Sequence, residues 1–282
     1  MKPRTSSPIS TSPGIAKVRV QREGAIATVV LSNPAKLNVL NTAMWREVKQ
    51  VFEDLSREDS LRCVVVRGEG GNFAAGADIS EFPTERLGFD RVYRYHQEVV
   101  APALHAVAEC QHPIVALIEG VCVGGGLEIA SQCDLRIAGK SARFGLPINR
   151  LGFPAAPEEF RALLGFAGRK VTLEILLEGA ILNARQALQK GLLTRVVPDR
   201  EVAKEAFACA GRICQGAPLA ARLNKQLIRR LVPSAPALSK AELRAFFLIW
   251  AESDDHREGV SAFLEKRTPR FNGKPAPRRQ RA

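Results

Sequence analysis

Among the 282 residues no apolar run approaches the roughly 18 to 20 needed to cross a bilayer, so no membrane span is expected. The opening "MKPRTSSPISTSPG" lacks the apolar stretch of a secretory signal, and its Ser/Pro-rich, acid-free composition reads as a disordered extension. No CxxC pair occurs among the six cysteines, and Cys110, His105 and His112 complete no zinc spacing, so no metal site is expected. Most of the cysteines lie in apolar runs, where a free thiol behaves as a small buried hydrophobe; reduced thiols in a cytoplasmic protein fit this usage. Acid is missing from both ends. Lys2, Arg4, Lys274, Arg278, Arg279 and Arg281 therefore carry half of the net charge of +12. The rest is thinly spread, with no RRM, KH or helix-turn-helix signature; it would suit a small polyanionic ligand as well as a polynucleotide, and a nucleic-acid partner is not expected.

What is present is an ordinary globular composition, 46% apolar and 25% charged. "AIATVVL" (25–31) and "CVVVRG" (63–68) read as β-strands. Between them Met44, Val48, Val51, Phe52 and Leu55 recur at helical spacing. A helix is expected over 89–110, strands at "PIVALIEG", "CDLRIAG" and "LLTRVVP", and helices over 201–214, 217–231 and 238–250. Alternation of strands and helices to about Pro198 argues for an α/β core. The expected organisation is an extension over 1–14, the core over 15–200, a helical subdomain over 201–270 and a basic disordered tail over 271–282. No internal repeat is visible.

Two glycine-containing loops each follow a β-run, "NFAAGAD" and "GVCVGGGLE". The second opens a helix, whose free N–H groups and positive end favour negative charge. If the loops converged, two backbone donors could serve one oxygen, as a thioester carbonyl gathering charge would require. Equally, the glycines could serve tight strand-to-helix turns. No GK[ST] follows, which excludes a P-loop, and "GVCVGGG" departs from the dinucleotide GxGxxG pattern.

The stretches "LSNPAKLNVLN", "GGNFAAGADISEF", "HPIVALIEGVCVGGGLEIASQCDLRIAGKSARFGLP", "LEGAILNARQALQKGLLTRVVP" and "SDDHREGVSAFLEKR" resemble, in order, those of the crotonase superfamily of enoyl-CoA hydratases and isomerases. The resemblance runs from about Val18 to Phe271. It implies an α/β spiral of ββα units with a C-terminal helical region, assembled as a homotrimer or a hexamer of paired trimers. It also implies an acyl-CoA thioester as substrate, with no separate cofactor because coenzyme A is part of that substrate. Carried over by position, the oxyanion-hole donors are the N–H groups of Ala77 and Gly125, and Glu128 is a catalytic carboxylate. Ala75, Asp78, Ile79, Gly124 and Ile148 fall in the substrate-binding stretches. Lys36 and Leu37 match a loop that contacts the CoA nucleotide, and Phe263 and Lys266 match positions that reach the CoA.

One departure bears on the reaction. Hydratases carry a second Glu directly after the proline of "FGxPE", and here Ile148 stands there. An isoleucine neither holds a water nor exchanges a proton. Glu158 and Glu159 appear a few residues later; Glu158 is the candidate replacement acid, and first-turn acids of a helix after Pro157 are the plainer account of both. The four histidines lie outside the matched catalytic motifs and receive no role. The leading expectation is hydration of a 2-enoyl-CoA through an enolate. A single-acid isomerase, decarboxylase or thioesterase is the alternative within the family. A non-catalytic CoA-thioester binder, or an RNA-binding relative using "KPAPRRQRA", stands outside it.

Overall fold

The computed structural model describes residues 16–231 and 238–273. The expected N-terminal extension lies outside them, as does the basic tail beyond 273. Two strands open the chain, β1 (Lys17–Glu23) and β2 (Ile26–Ser32), paired antiparallel across a tight turn. Then follow α1 (Thr42–Ser56), β3 (Cys63–Gly68), the short α2 (Phe82–Glu85), α3 (Phe89–Arg94) and α4 (Ala101–Glu109). Next come β4 (Ile114–Ile118), β5 (Val121–Val123), α5 (Gly125–Gln132), β6 (Leu135–Gly139) and β7 (Arg143–Gly145). The α/β part closes with α6 (Pro157–Glu178), β8 (Leu182–Asn183), α7 (Ala184–Gln189) and β9 (Arg195–Val197). Beyond it only helices occur among the described residues: α8 (Val202–Gln215), α9 (Pro218–Leu231), α10 (Lys240–Trp250) and α11 (Asp254–Leu264).

The main sheet has the order β1-β2-β3-β4-β6-β9 and is parallel from β2 onward; β5, β7 and β8 form a small second sheet. Its central strands are buried on both faces, which is why they read as unbroken apolar runs. Alternate residues point opposite ways. Val64, Val66, Ile114, Ala116 and Ile118 join the core under α1 and α4, while Cys63, Val65, Val115, Leu117 and Ile137 pack against α8. All six cysteines are unpaired and five are fully buried. No described helix is long and apolar enough to cross a membrane.

The helix read over 89–110 is not uniform. Between α3 and α4 the residues Tyr95–Val100 form a π-helical turn, closed by the Ala101 N–H donating to the His96 carbonyl. Pro102, near the start of α4, has no N–H to give the preceding turn, so an α-helical ladder cannot run unbroken there. Apolar spacing cannot separate a π turn from α-helix, and this turn carries three residues of the cavity wall, Tyr95, His96 and Val100.

Candidate active site

Below the C-terminal ends of the parallel strands the two glycine loops meet. The loop after β3 is stitched on both sides. Ala74 donates to the Val121 carbonyl at 2.9 Å, and Leu40 donates to Gly76 at 2.7 Å. Ala75 and Asp78 also donate backbone bonds, to Leu37 and Leu40, whereas the Ala77 N–H has no backbone acceptor among the described residues. The Gly76 carbonyl and the Asp78 N–H both bond Leu40, so the Ala77 N–H, on the other side of the trans 76–77 peptide, points away from that segment, and Ala77 lines the cavity. Gly125 is the first residue of α5, and its N–H is a free helix-start donor. The approach is close: a Cβ on Gly126 would lie 2.3 Å from the Ala74 carbonyl oxygen. Gly124 holds φ +55°, ψ −127°, a conformation that side-chain-bearing residues rarely adopt.

These loops wall a cavity of about 300 Å³. Ala75, Ala77, Ile79, Gly124, Gly125, Glu128, Ile148 and Phe263 all line it. Glu128, one turn into α5, is 6% exposed, and its carboxyl makes no hydrogen bond to another described residue. Burial holds this carboxyl well above the usual carboxylate range, and the neighbouring charge of Glu159 adds to the effect against the opposing pull of Arg86. Lys36 and Leu37 lie beside the first loop rather than in the cavity. Lys36 Nζ pairs with Asp78 Oδ2 at 2.8 Å, and Asp78 also accepts from the Ser80 amide, so Asp78 orders its loop. Lys266 follows α11 in a left-handed conformation and is not part of the cavity wall.

The candidate replacement acid requires correction. Glu158 points outward to His105 Nε2 at 3.1 Å and Arg161, while the next residue, Glu159, lines the cavity. One position along a helix turns a side chain by about 100°, so only one of two adjacent acids can face inward. Glu159, in the first turn of α6, reaches back to the helix start, its Oε2 accepting from the Ala156 N–H at 3.1 Å. Its Oε1 meets His96 Nδ1. Burial alone would raise Glu159, but His96, Arg86 and the Ala156 amide together hold it below the ordinary carboxylate value.

His96, assigned no role from the sequence, also lines the cavity, together with Tyr95 and Arg86. The Arg86 guanidinium is sandwiched between two rings, 3.4 Å from the Tyr95 centroid and 3.9 Å from that of Phe82. Phe153, Phe247 and Trp250 build the wall behind His96. The signal for Glu159 was its place at N3 of a helix opened by Pro157. Nothing local marked His96 or Arg86.

A family model described as enoyl-CoA hydratase/isomerase matches residues 21–274. A 2,3-dehydroadipyl-CoA hydratase of Escherichia coli (strain K12) is 31% identical over 92% of this chain and 100% of its own length. Among solved structures, an enoyl-CoA hydratase/carnithine racemase from Magnetospirillum magneticum is 43% identical with a TM-score of 0.75, covering 91% of this chain and 96% of that one. A methylmalonyl-CoA decarboxylase in complex with 2-nitronate-propionyl-CoA has a TM-score of 0.79 at 28% identity, over 91% of this chain and 98% of that one.

Proposed function

The chain belongs to the enoyl-CoA hydratase/isomerase family, and on that premise we propose that it adds water across the double bond of a 2-enoyl-CoA. It is an enzyme of the hydratase/isomerase type acting on an acyl-CoA. One observation carries the finer reading: a buried carboxyl with a raised pKa, Glu128, opens on the same cavity as two free backbone amides. The thioester oxygen sits between the N–H groups of Ala77 and Gly125. Both become stronger donors as that oxygen gains charge, which lowers the barrier to an enolate. Glu128, whose burial favours the protonated form, is placed to deliver its proton to the α-carbon as the enolate collapses. The largely apolar wall excludes competing solvent.

Free, mostly buried thiols support a reducing, cytoplasmic setting. Exposed Leu219, Leu227, Ile228 and Leu231 on α9 support assembly into a trimer or a pair of trimers, since such a stripe is costly in water. The direct test incubates the enzyme with 2-enoyl-CoA thioesters of increasing chain length and follows the products by mass. A gain of one water, absent with Glu128→Gln, is the expected result. Isomerised or decarboxylated product without water gain would replace the reading.

A further inference from the structure

Hydration needs two proton-handling groups, one for the α-carbon and one for the attacking water. Glu128 is the first. Ile148 lines the cavity where the family carries the second, and contributes only carbon. Of the other polar groups lining the cavity, Tyr95 and Arg86 are engaged with each other, while Glu159 and His96 form a directed pair. Glu159 is 5% exposed, and each carboxylate oxygen already accepts one hydrogen bond, Oε2 from Ala156 and Oε1 from His96 Nδ1. A carboxylate is acceptor-only, so Nδ1 carries the hydrogen of this bond, and in the neutral form of the ring Nε2 is the acceptor nitrogen.

The ring is held as well as polarised. Phe247 stacks on the His96 imidazole at 5.5 Å and 28°, and Trp250 meets it edge-on at 5.9 Å and 75°. Tyr95 closes a further side at 5.3 Å and 84°. His96 lines the cavity, and its Nε2 makes no hydrogen bond to another described residue. A buried Glu–His pair could serve packing specificity alone. Packing would not require that both members line the substrate cavity.

We propose that His96, oriented through Nδ1 by Glu159, is the second acid–base residue of this site and activates the water that adds to the β-carbon. The proposal rests on the hydration reading above. As the water oxygen bonds to the β-carbon, one of its protons passes to His96 Nε2. The α–β π pair moves into the enolate, whose oxygen is held by Ala77 and Gly125. The enolate then takes the Glu128 proton at the α-carbon, giving a 3-hydroxyacyl-CoA. His96 ends with the proton that water lost and Glu128 lacks the one it gave; return of one proton resets both. Glu159 is a positioning residue, with the lowered pKa that keeps it an acceptor throughout.

The test separates water addition from α-proton chemistry. Crotonyl-CoA hydration is measured beside exchange of the α-hydrogen of butyryl-CoA in D2O, which needs Glu128 and the two amides but no added water. His96→Gln lowers kcat for hydration by about 10²- to 10⁴-fold, the usual range for losing a general base, with KM and α-exchange within a few-fold of wild type. Glu159→Gln gives the same split, because an amide can donate to Nδ1 and turn Nε2 into an N–H; Glu159→Asp recovers part of the loss. Adding Ile148→Glu to His96→Gln restores hydration in part, by returning a carboxylate to the vacated side. Hydration by His96→Gln at the wild-type rate overturns the assignment, as does equal loss of hydration and exchange. A wild type that hydrates no enoyl-CoA overturns the hydration reading itself, and the assignment with it.

Discussion

The cavity has two unlike walls. One is backbone: the amides of Ala77 and Gly125, held by loops that cross so closely that a single methyl would not fit at Gly126. The other is side chain: His96, Glu159 and Arg86, on a π turn and two helix ends, braced by aromatic rings of α10 and the segment before α6. The first wall needs small residues and offers fixed dipoles that cost no reorganisation during reaction. The second needs charges in a dry place and keeps them apart in pKa. Burial pushes Glu128 up, while His96, Arg86 and the Ala156 amide hold Glu159 down. On the proposed reading, the backbone wall answers only to the thioester oxygen and the side-chain wall selects the reaction.

The contrast can be broken from either side. The largest effect falls where the walls meet. Glu128→Gln lowers kcat by about 10²- to 10⁴-fold, and the wild-type rate declines as pH rises through the raised Glu128 value, because the proton to be delivered is then gone. A pH–rate profile of both proteins checks this. Next is Trp250→Ala, which removes a ring stacked on Phe153 at 5.3 Å and edge-on to His96; it should cost about 3–5 kcal/mol in urea unfolding. Gly126→Ala acts on the other wall. The added methyl forces the loops apart, for about 1–3 kcal/mol of stability and a loss of kcat from displaced amides, read by thermal melting and a hydration assay.

Smallest is Glu158→Gln, the neighbour that faces outward. It leaves kcat unchanged and costs less than about 1 kcal/mol, since its partner His105 is well exposed. The Glu158 pKa is lowered to about 2, chiefly by its His105 hydrogen bond. Its contribution is therefore present above the ordinary carboxylate range and lost as pH falls toward that value. Glu128 runs the other way: its contribution is present at low pH and lost as pH rises through its raised value. Acid titrations of wild type and Glu158→Gln should converge at low pH.

How much could be read in advance follows the same division. β3 is legible as a short unbroken apolar run, the mark of a strand buried on both faces, and α1 and α8 because burial of one face imposes a period of 3.6. The backbone wall is legible too: a glycine run directly after a strand is a local demand, and Glu128 sits a fixed helical turn beyond it. Ile148 announces a missing acid in the same local way. Which acid enters the cavity is harder to read, since adjacent Glu158 and Glu159 differ only in which way a helix turns them, and that depends on how α6 docks.

By itself, then, the sequence determined the α/β core, the glycine loops, Glu128 and the gap at 148, because each is set by neighbours within a few residues. Only the tertiary structure decided that Glu159 rather than Glu158 enters the cavity, that it meets His96, 63 positions away in the chain, and that the α10 rings close around the pair. Those contacts join segments far apart in the chain, and a buried charge finds its partner through folding, not through spacing.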